Sequence, residues 1–117
     1  MMKKKIKNHV GSEEYDRFMV EQLRKNPKLL AASIKEAFSE ENEDPRVILD
    51  MLRLIAEAEG GMTRLSQVTK LNRQNLYRSL SRNCSPEFST IFKVVHGLGY
   101  HFKIEKDKKS LVASGAR

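Results

Sequence analysis

Four polar side chains that can hydrogen-bond the edges of nucleic-acid bases fall within one short segment of the chain: Arg73, Gln74, Tyr77 and Arg78. Leu76 and Leu80 in the same segment are spaced i and i+4, so they would anchor a helix to a core and leave the polar residues outside. Arg donates two hydrogen bonds to guanine, and Gln pairs with adenine in a similar bidentate way. The spacing therefore predicts a helix that presents base-contacting side chains to the major groove of DNA.

Further polar residues lie near the ends of this helix and of the segment before it, where contacts to the DNA backbone usually anchor a docked protein. These candidates are Thr63, Arg64, Asn72, Ser81 and Arg82. The charge around them has one sign, because no Asp or Glu occurs from residue 60 to residue 86. Such a segment is typical of proteins that bind a polyanion, although a solvated basic face gives the same pattern.

Charge is distributed unevenly along the chain. The 117 residues carry 22 Lys and Arg against 15 Asp and Glu, a formal net charge of +7. Residues 1–10 contribute +4, residues 11–60 contribute −5 and residues 61–117 contribute +8. We expect the basic C-terminal half to face an anion, and the acidic half to face the protein itself or a partner.

Residues that commonly carry catalysis or bind metals are too few and too scattered to form a site. His9, His96 and His101 lack metal-ligand spacing, and Cys84 has no assignable base or oxyanion site beside it. The sequence therefore predicts a protein that is not an enzyme and that binds no metal or cofactor. A single cysteine forms no internal disulfide, which favours the cytoplasm, and no apolar run approaches the roughly 20 residues of a membrane span.

Amphipathic helices must position these side chains. Ser12 is a candidate N-cap for a first helix that should end near Asn26, since Pro27 suits the first position of a second helix. The Asp-Pro pair at 44–45 and the Gly-Gly pair at 60–61 mark the bounds of a third helix. Apolar residues at helical spacing form the predicted core stripes of the three helices: Tyr15, Phe18, Met19 and Leu23; Leu30, Ile34, Ala37 and Phe38; Ile48, Met51, Leu52 and Ile55.

The predicted elements after residue 62 are shorter. Thr63 should cap a helix that runs to about Lys70, and Asn72 should cap a second short helix that runs to about Ser81. Another helix should begin at residues 85–86, with an apolar face made of Phe88, Ile91, Phe92, Val95 and Leu98. Residues 100–105 alternate apolar and polar, which predicts a short C-terminal strand that pairs with another segment or a second copy.

Together these patterns predict an all-α fold. It is a small helical bundle of about five to six helices, with a helix-turn-helix at residues 63–82 and a short C-terminal strand. The expected organisation is a flexible basic N-terminus at 1–11, a single helical domain at 12–105 and a flexible tail at 106–117.

Two motifs resemble a known family. Residues 62–81 resemble the helix-turn-helix of Cro/repressor-type (Xre-type) regulators and, more narrowly, that of the addiction-module antidote proteins. The segment Leu71-Asn72-Arg73-x-x-Leu76-Tyr77-Arg78-x-Leu80-Ser81 is similar to the family's Leu-Ser-Arg-x-x-Leu-Tyr-(Arg/Lys)-x-Leu-Ser. Residues 85–99 are similar to its Asn-Pro-x-Phe-x-Thr-(aliphatic)-x-Lys-Val-Leu-x-Ala-Leu-Gly.

The chain departs from the family pattern near the turn. The family usually has Ala in place of Ser66, Gly in place of Lys70 and Ser in place of Asn72. Ser66 is still small and Asn72 is still a good cap. A turn that requires a positive φ, however, would strain Lys70 where glycine would not be strained.

The resemblance implies a small all-helical antitoxin that binds the promoter of its own operon and neutralises a RelE-like RNase toxin from the same operon. The prediction is thus a DNA-binding antitoxin of a type II toxin–antitoxin module, with double-stranded operator DNA and the cognate toxin as partners. Two alternatives stay open: a stand-alone (prophage-type) transcriptional repressor, and a protein-interaction module without a DNA role.

A homodimer is expected, because one short helix buries little surface in a groove. Two copies would contact half-sites about 34–36 Å apart, or a multiple of that distance. The candidate dimer surface is residues 92–104. The acidic N-terminal helices are the candidate toxin-facing half, because a nuclease toxin would be basic.

Overall fold

Six α-helices form in the part of the chain that the computed structural model describes, residues 12–39, 41–81 and 85–106. They are α1 (Glu13–Lys25), α2 (Pro27–Ala37), α3 (Arg46–Ala58), α4 (Gly61–Thr69), α5 (Arg73–Ser79) and α6 (Phe88–Gly97). The all-helical fold is confirmed. The termini predicted to be flexible, residues 1–11 and 106–117, lie outside the described residues except for Lys106. None of the described helices is long and apolar enough to cross a membrane.

Local hydrogen bonds fix where the first two helices begin. The Ser12 hydroxyl oxygen accepts a hydrogen bond from the backbone N–H of Tyr15 at 3.0 Å. The side-chain oxygen of Asn26 accepts from the backbone N–H groups of Lys28 and Leu29, each at 3.1 Å. Asn26 therefore ends α1 and caps α2, whose first residue is a proline. The predicted Ser12 cap, the predicted end of α1 near Asn26 and the predicted start of α2 at Pro27 are confirmed.

The bounds of α3 follow the predicted signals, but the start of α4 does not. The Asp44 carboxylate accepts a hydrogen bond from the backbone N–H of Arg46 at 3.0 Å, at the beginning of α3. Gly60 has φ +115°, a left-handed conformation that glycine adopts readily. This turn leads directly into α4 at Gly61. The predicted Thr63 cap is therefore wrong, and Thr63 lies exposed within the first turn of the helix.

Helix α3 lies at the centre of the bundle, in contact with α1, α2 and α4. After Arg46 none of its residues is exposed. Eight are buried: Val47, Leu49, Asp50, Met51, Leu52, Leu54, Ile55 and Ala56. A helix that is enclosed in this way forms the core on which the facing sides of its neighbours pack.

One charged group is enclosed with this core. Asp50 is buried, and its carboxylate lies 3.8 Å from the Arg53 guanidinium. Arg53 also donates a hydrogen bond to the Asp16 carboxylate at 3.1 Å, which joins α3 to α1. Since a buried carboxylate is destabilising unless it is paired, Arg53 both neutralises Asp50 and holds α1 against α3.

The predicted C-terminal strand does not form. Residues 100–105 are described, and they have no regular secondary structure. A period-two segment becomes a strand only beside another strand, and the described part of the chain contains none. Instead, the backbone N–H of Tyr100 donates to the Val95 carbonyl at 3.1 Å. Tyr100 and Phe102 are half-buried and pack against the core.

Four aromatic residues from the predicted core stripes are exposed: Phe18, Phe38, Phe88 and Phe92. On α6 the buried side chains are Val94 and Val95. The apolar stripe of α6 is thus wider than the face that meets the core, and periodicity alone does not show which part of the stripe is covered.

Helix α6 packs directly against α4 at Gly97. A Cβ atom at this position would lie 2.7 Å from Thr69 Cγ2 and 3.2 Å from Leu65 Cδ1. The Thr69 side chain is held in place, because its hydroxyl donates to the Leu65 carbonyl at 2.7 Å and accepts from the Leu71 N–H at 3.2 Å. At the helix separation seen here, a Cβ atom on residue 97 would therefore overlap the Thr69 side chain.

We expect Gly97→Ala to lower the free energy of unfolding by roughly 1–3 kcal/mol, because the added methyl group overpacks the contact with Thr69. Urea denaturation followed by circular dichroism measures the change. Thr69→Ser is the matched background, since it removes Cγ2 and keeps the hydroxyl. There the same substitution should be less destabilising by at least about 1 kcal/mol. An equal loss in both backgrounds would contradict the role given to Thr69.

Candidate nucleic-acid interface

Helices α4 and α5 are joined by a short connection, Lys70, Leu71 and Asn72, that is closed by hydrogen bonds. The Ser66 hydroxyl donates to the Leu71 carbonyl at 2.6 Å. The Thr69 hydroxyl accepts from the Leu71 N–H at 3.2 Å. These side chains satisfy the backbone of Leu71, so the relative placement of the two helices is fixed locally. Ser66, where the resembling family usually has Ala, here contributes a hydrogen bond to the connection.

Lys70 ends α4 in a left-handed conformation, with φ 62° and ψ 25°. It is the one non-glycine residue with positive φ in the described part of the chain. Its backbone N–H donates to the Ser66 carbonyl at 2.8 Å, so this conformation also closes the C-terminus of α4. The turn therefore does require a positive φ, and Lys70 bears the strain that glycine would avoid.

Helix α5 is capped and anchored as its sequence predicts. The Asn72 side-chain oxygen accepts from the backbone N–H groups of Gln74 at 2.8 Å and Asn75 at 3.1 Å. Leu76 and Leu80 are buried and attach this helix to the core. The opposite side is exposed and carries Arg73, Gln74, Asn75, Tyr77 and Arg78. The structure therefore brings the four predicted base-contacting residues together on one exposed face.

Two contacts hold the arginines of this face in place. The Arg73 guanidinium carbon lies 5.6 Å from the centre of the Tyr77 ring, a cation–π arrangement. Arg78 donates a hydrogen bond to the Asn75 side-chain oxygen at 2.9 Å. Spacing alone does not single out Asn75, although its i,i+3 relation to Arg78 is the available signal. Both guanidinium groups are thus partly ordered before any ligand binds.

The predicted DNA-backbone residues occupy three different situations. Thr63 and Arg64 are exposed near the start of α4. Asn72 is exposed, but its side-chain oxygen is already used as the α5 cap. Ser81 is half-buried just after α5. Arg82 lies outside the described residues, as does Cys84.

The face formed by α4 and α5 is basic, and no Asp or Glu occurs within either helix or in their connection. Within the described ranges, Arg64, Lys70, Arg73 and Arg78 take part in none of the ion pairs. No group of three or more His, Cys, Asp or Glu residues that could hold a metal ion occurs among the described residues. Chemically, this surface offers hydrogen-bond donors and positive charge to an anionic ligand.

Comparisons with known proteins link this chain to one family. A sequence profile of the family described as "Probable addiction module antidote protein" matches residues 14–106, which contain α2 to α6 and nearly all of α1. An uncharacterized protein of Haemophilus influenzae is 29% identical over 75 residues, which cover 64% of this chain and 74% of that protein. No solved structure matches the chain.

The strain at Lys70 leads to a stability prediction. A left-handed conformation costs a residue with a Cβ roughly 1–2 kcal/mol, while the extra freedom of glycine in the unfolded chain costs roughly 0.5–1 kcal/mol. We therefore expect Lys70→Gly to raise the free energy of unfolding by about 0.5–1 kcal/mol, measured by urea denaturation. Lys70→Ala is the control, because alanine keeps the strain. A similar gain in both variants would show that the lysine side chain, and not its φ angle, is the cause.

Proposed function

Because the chain belongs to the addiction module antidote family, we propose that it is the DNA-binding antitoxin of a type II toxin–antitoxin module. In this proposal it neutralises a RelE-like RNase toxin and represses its own operon. Members of the family are not enzymes, and the family implies a cognate toxin as partner. The observation that carries the DNA-binding part is the exposed basic face of α5, held by Leu76 and Leu80 and aligned by the connection from α4.

Two short helices with a tight connection support a helix-turn-helix of the Cro/repressor type. In that motif the second helix enters the major groove, and its exposed side chains contact the bases. Helix α5 is the second helix here. We assign base contacts to Arg73, Gln74, Tyr77 and Arg78, since arginine suits guanine and glutamine suits adenine.

Contacts to the phosphate backbone are assigned to residues that stand, in the sequence, near the ends of α4 and α5. They are Thr63, Arg64, Asn72, Ser81 and Arg82. A docked helix-turn-helix meets the sugar-phosphate chain near the ends of its helices. Because such contacts release counterions, binding to operator DNA should weaken steeply as the salt concentration rises.

Helix α5 has only seven residues, so one copy contacts few base pairs. A homodimer would contact two half-sites about 34–36 Å apart, or a multiple of that distance. This supports a symmetric operator and a dimeric repressor as the functional unit.

The toxin is proposed to bind the acidic N-terminal helices. Exposed carboxylates in this half of the chain include Glu13 and Glu14 in the first turn of α1 and Glu43 before α3. A toxin that cleaves RNA needs a basic surface for its substrate, and an acidic surface complements it. The DNA-binding face and the toxin-binding face then lie on helices that are distant in sequence.

Arg78 provides the sharpest test of DNA binding. If it donates two hydrogen bonds to a guanine, Arg78→Ala should weaken operator binding by about 1–3 kcal/mol and relax the preference at one base pair. Fluorescence anisotropy on DNA from the region upstream of the gene, against scrambled DNA of equal length, measures both effects.

Arg17→Ala is the matched control, because it removes an exposed arginine from α1 and not from the basic face. We expect it to change operator affinity little. Equal losses for Arg78→Ala and Arg17→Ala would contradict base contact by Arg78. Failure of the wild-type chain to prefer its upstream DNA would favour the interaction module without a DNA role.

The proposed contact between the acidic N-terminal helices and the toxin is tested by substitutions that remove charge and keep side-chain length. We expect Glu13→Gln with Glu14→Gln to slow association with the product of the adjacent toxin gene by roughly tenfold at low salt, because electrostatic attraction mainly sets the association rate. Surface plasmon resonance measures this rate. Glu87→Gln with Glu105→Gln removes the same charge from the basic half and should leave the rate unchanged. Equal effects from the two pairs would place the toxin elsewhere.

A further inference from the structure

Four phenylalanines from different parts of the chain meet on one side of the molecule. They are Phe38 after α2, Phe88 and Phe92 on α6, and Phe102 in the C-terminal segment; together we name them the aromatic surface. Phe102 is in contact with the other three, with ring centres 5.5 Å from Phe38, 5.9 Å from Phe88 and 5.9 Å from Phe92. The cluster is therefore a formed structure and not a set of isolated side chains.

Much of this cluster is in contact with solvent. Phe88 is 68% exposed, Phe92 42% and Phe38 36%. Ile104, two residues after Phe102, is 95% exposed. Soluble monomers seldom expose so many large apolar residues side by side, and such patches usually mark a binding surface.

A groove of about 510 Å³ adjoins the exposed rings. Its walls include Phe38, Phe88 and Phe102, together with Ile48 and Pro86. The surface thus presents projecting rings and an apolar groove next to each other. Two copies related by a two-fold axis could each place a ring in the groove of the other, which is the arrangement of an isologous interface.

The charges around the aromatic surface decide between possible partners. The grooves beside it are lined by Lys35, Arg46 and Lys103 and by no carboxylate. Arg46 pairs with Asp44 at 3.0 Å, and Lys103 pairs with Glu105 at 3.2 Å. The lining of these grooves therefore offers no acidic group to a basic toxin, since Asp44 and Glu105 beside them are already paired. For a second copy, two of these three cations, Arg46 and Lys103, are already paired with carboxylates, so like charges oppose its approach little.

We propose that the aromatic surface is the site at which a second copy of this chain binds, with Phe88 and Phe92 as its main anchors. The exposed surface of the three most accessible phenylalanines amounts to roughly 300 Å². With Ile104 and the groove walls, this approaches the apolar part of a standard interface of about 800 Å² per partner. The surface extends the predicted dimer region, residues 92–104, to the end of α2 and the start of α6.

The site of the second copy is argued from the aromatic surface itself, while its consequence for operators rests on the proposed function. Helix α6 carries both anchors and also contacts α4 at Gly97. A dimer formed through α6 would therefore set the separation of the two α5 helices, and thereby the spacing of the half-sites.

The test is the oligomeric state of the full chain without DNA, measured by sedimentation equilibrium over micromolar concentrations. We expect the wild type to be a dimer. Phe88→Ala combined with Phe92→Ala should raise the dimer dissociation constant at least about thirtyfold, as expected for central aromatic anchors. Phe18→Ala is the matched control, because Phe18 is 58% exposed on α1, and it should leave the dimer intact.

Circular dichroism establishes that each variant is folded. If the double variant is not, Phe88→Glu alone should also dissociate the dimer, since it buries like charges next to each other. A monomeric wild type, or a folded variant that dimerises as tightly as the wild type, would overturn the proposal. An intact dimer that binds no operator DNA would support the interface and refute only the proposed function.

Discussion

Burial of α3 on nearly every side is the constraint on which the rest of the molecule depends. A helix of thirteen residues with eight buried ones needs neighbours around most of its circumference, and α1, α2 and α4 supply them. The same helix carries Asp50, whose charge is neutralised by Arg53, and Arg53 in turn reaches α1. The hydrophobic requirement and the electrostatic one therefore fix the same arrangement of helices.

The position of the basic face of α4 and α5 is determined by this core. Helix α4 follows α3 after a single glycine turn, and the hydrogen-bonded connection then sets the direction of α5. The buried side chains of Leu76 and Leu80 attach α5 to the core. The orientation of its polar side chains toward solvent is therefore set by buried contacts and not by exposed ones. The proposed base-contacting residues thus stand on a rigid support, which is what specific recognition requires.

Much of this arrangement could be predicted from the sequence because its causes are local. The caps at Ser12, Asn26 and Asn72 each depend on hydrogen bonds to residues two or three positions away. The outward face of α5 follows from two leucines one turn apart. Apart from the Thr63 cap, the predictions that fail have causes that are not local. Residues 100–105 have the alternation of a strand, but the described part of the chain offers no strand beside them. The exposure of Phe88 and Phe92 likewise depends on how far the other helices extend over α6, which periodicity does not encode.

The glycine contact between α4 and α6 has a geometrical consequence. Where side chains separate two helices, a change of rotamer lets one helix shift while the other stays in place. At Gly97 the separation is set by the backbone of α6 and a hydrogen-bonded threonine, so this adjustment is absent. In a dimer built through α6, the distance and the angle between the two α5 helices would then be fixed. One additional base pair between half-sites displaces the second site by about 3.4 Å and rotates it by about 35°. A dimer that cannot adjust the distance between its two α5 helices would not bind such an operator.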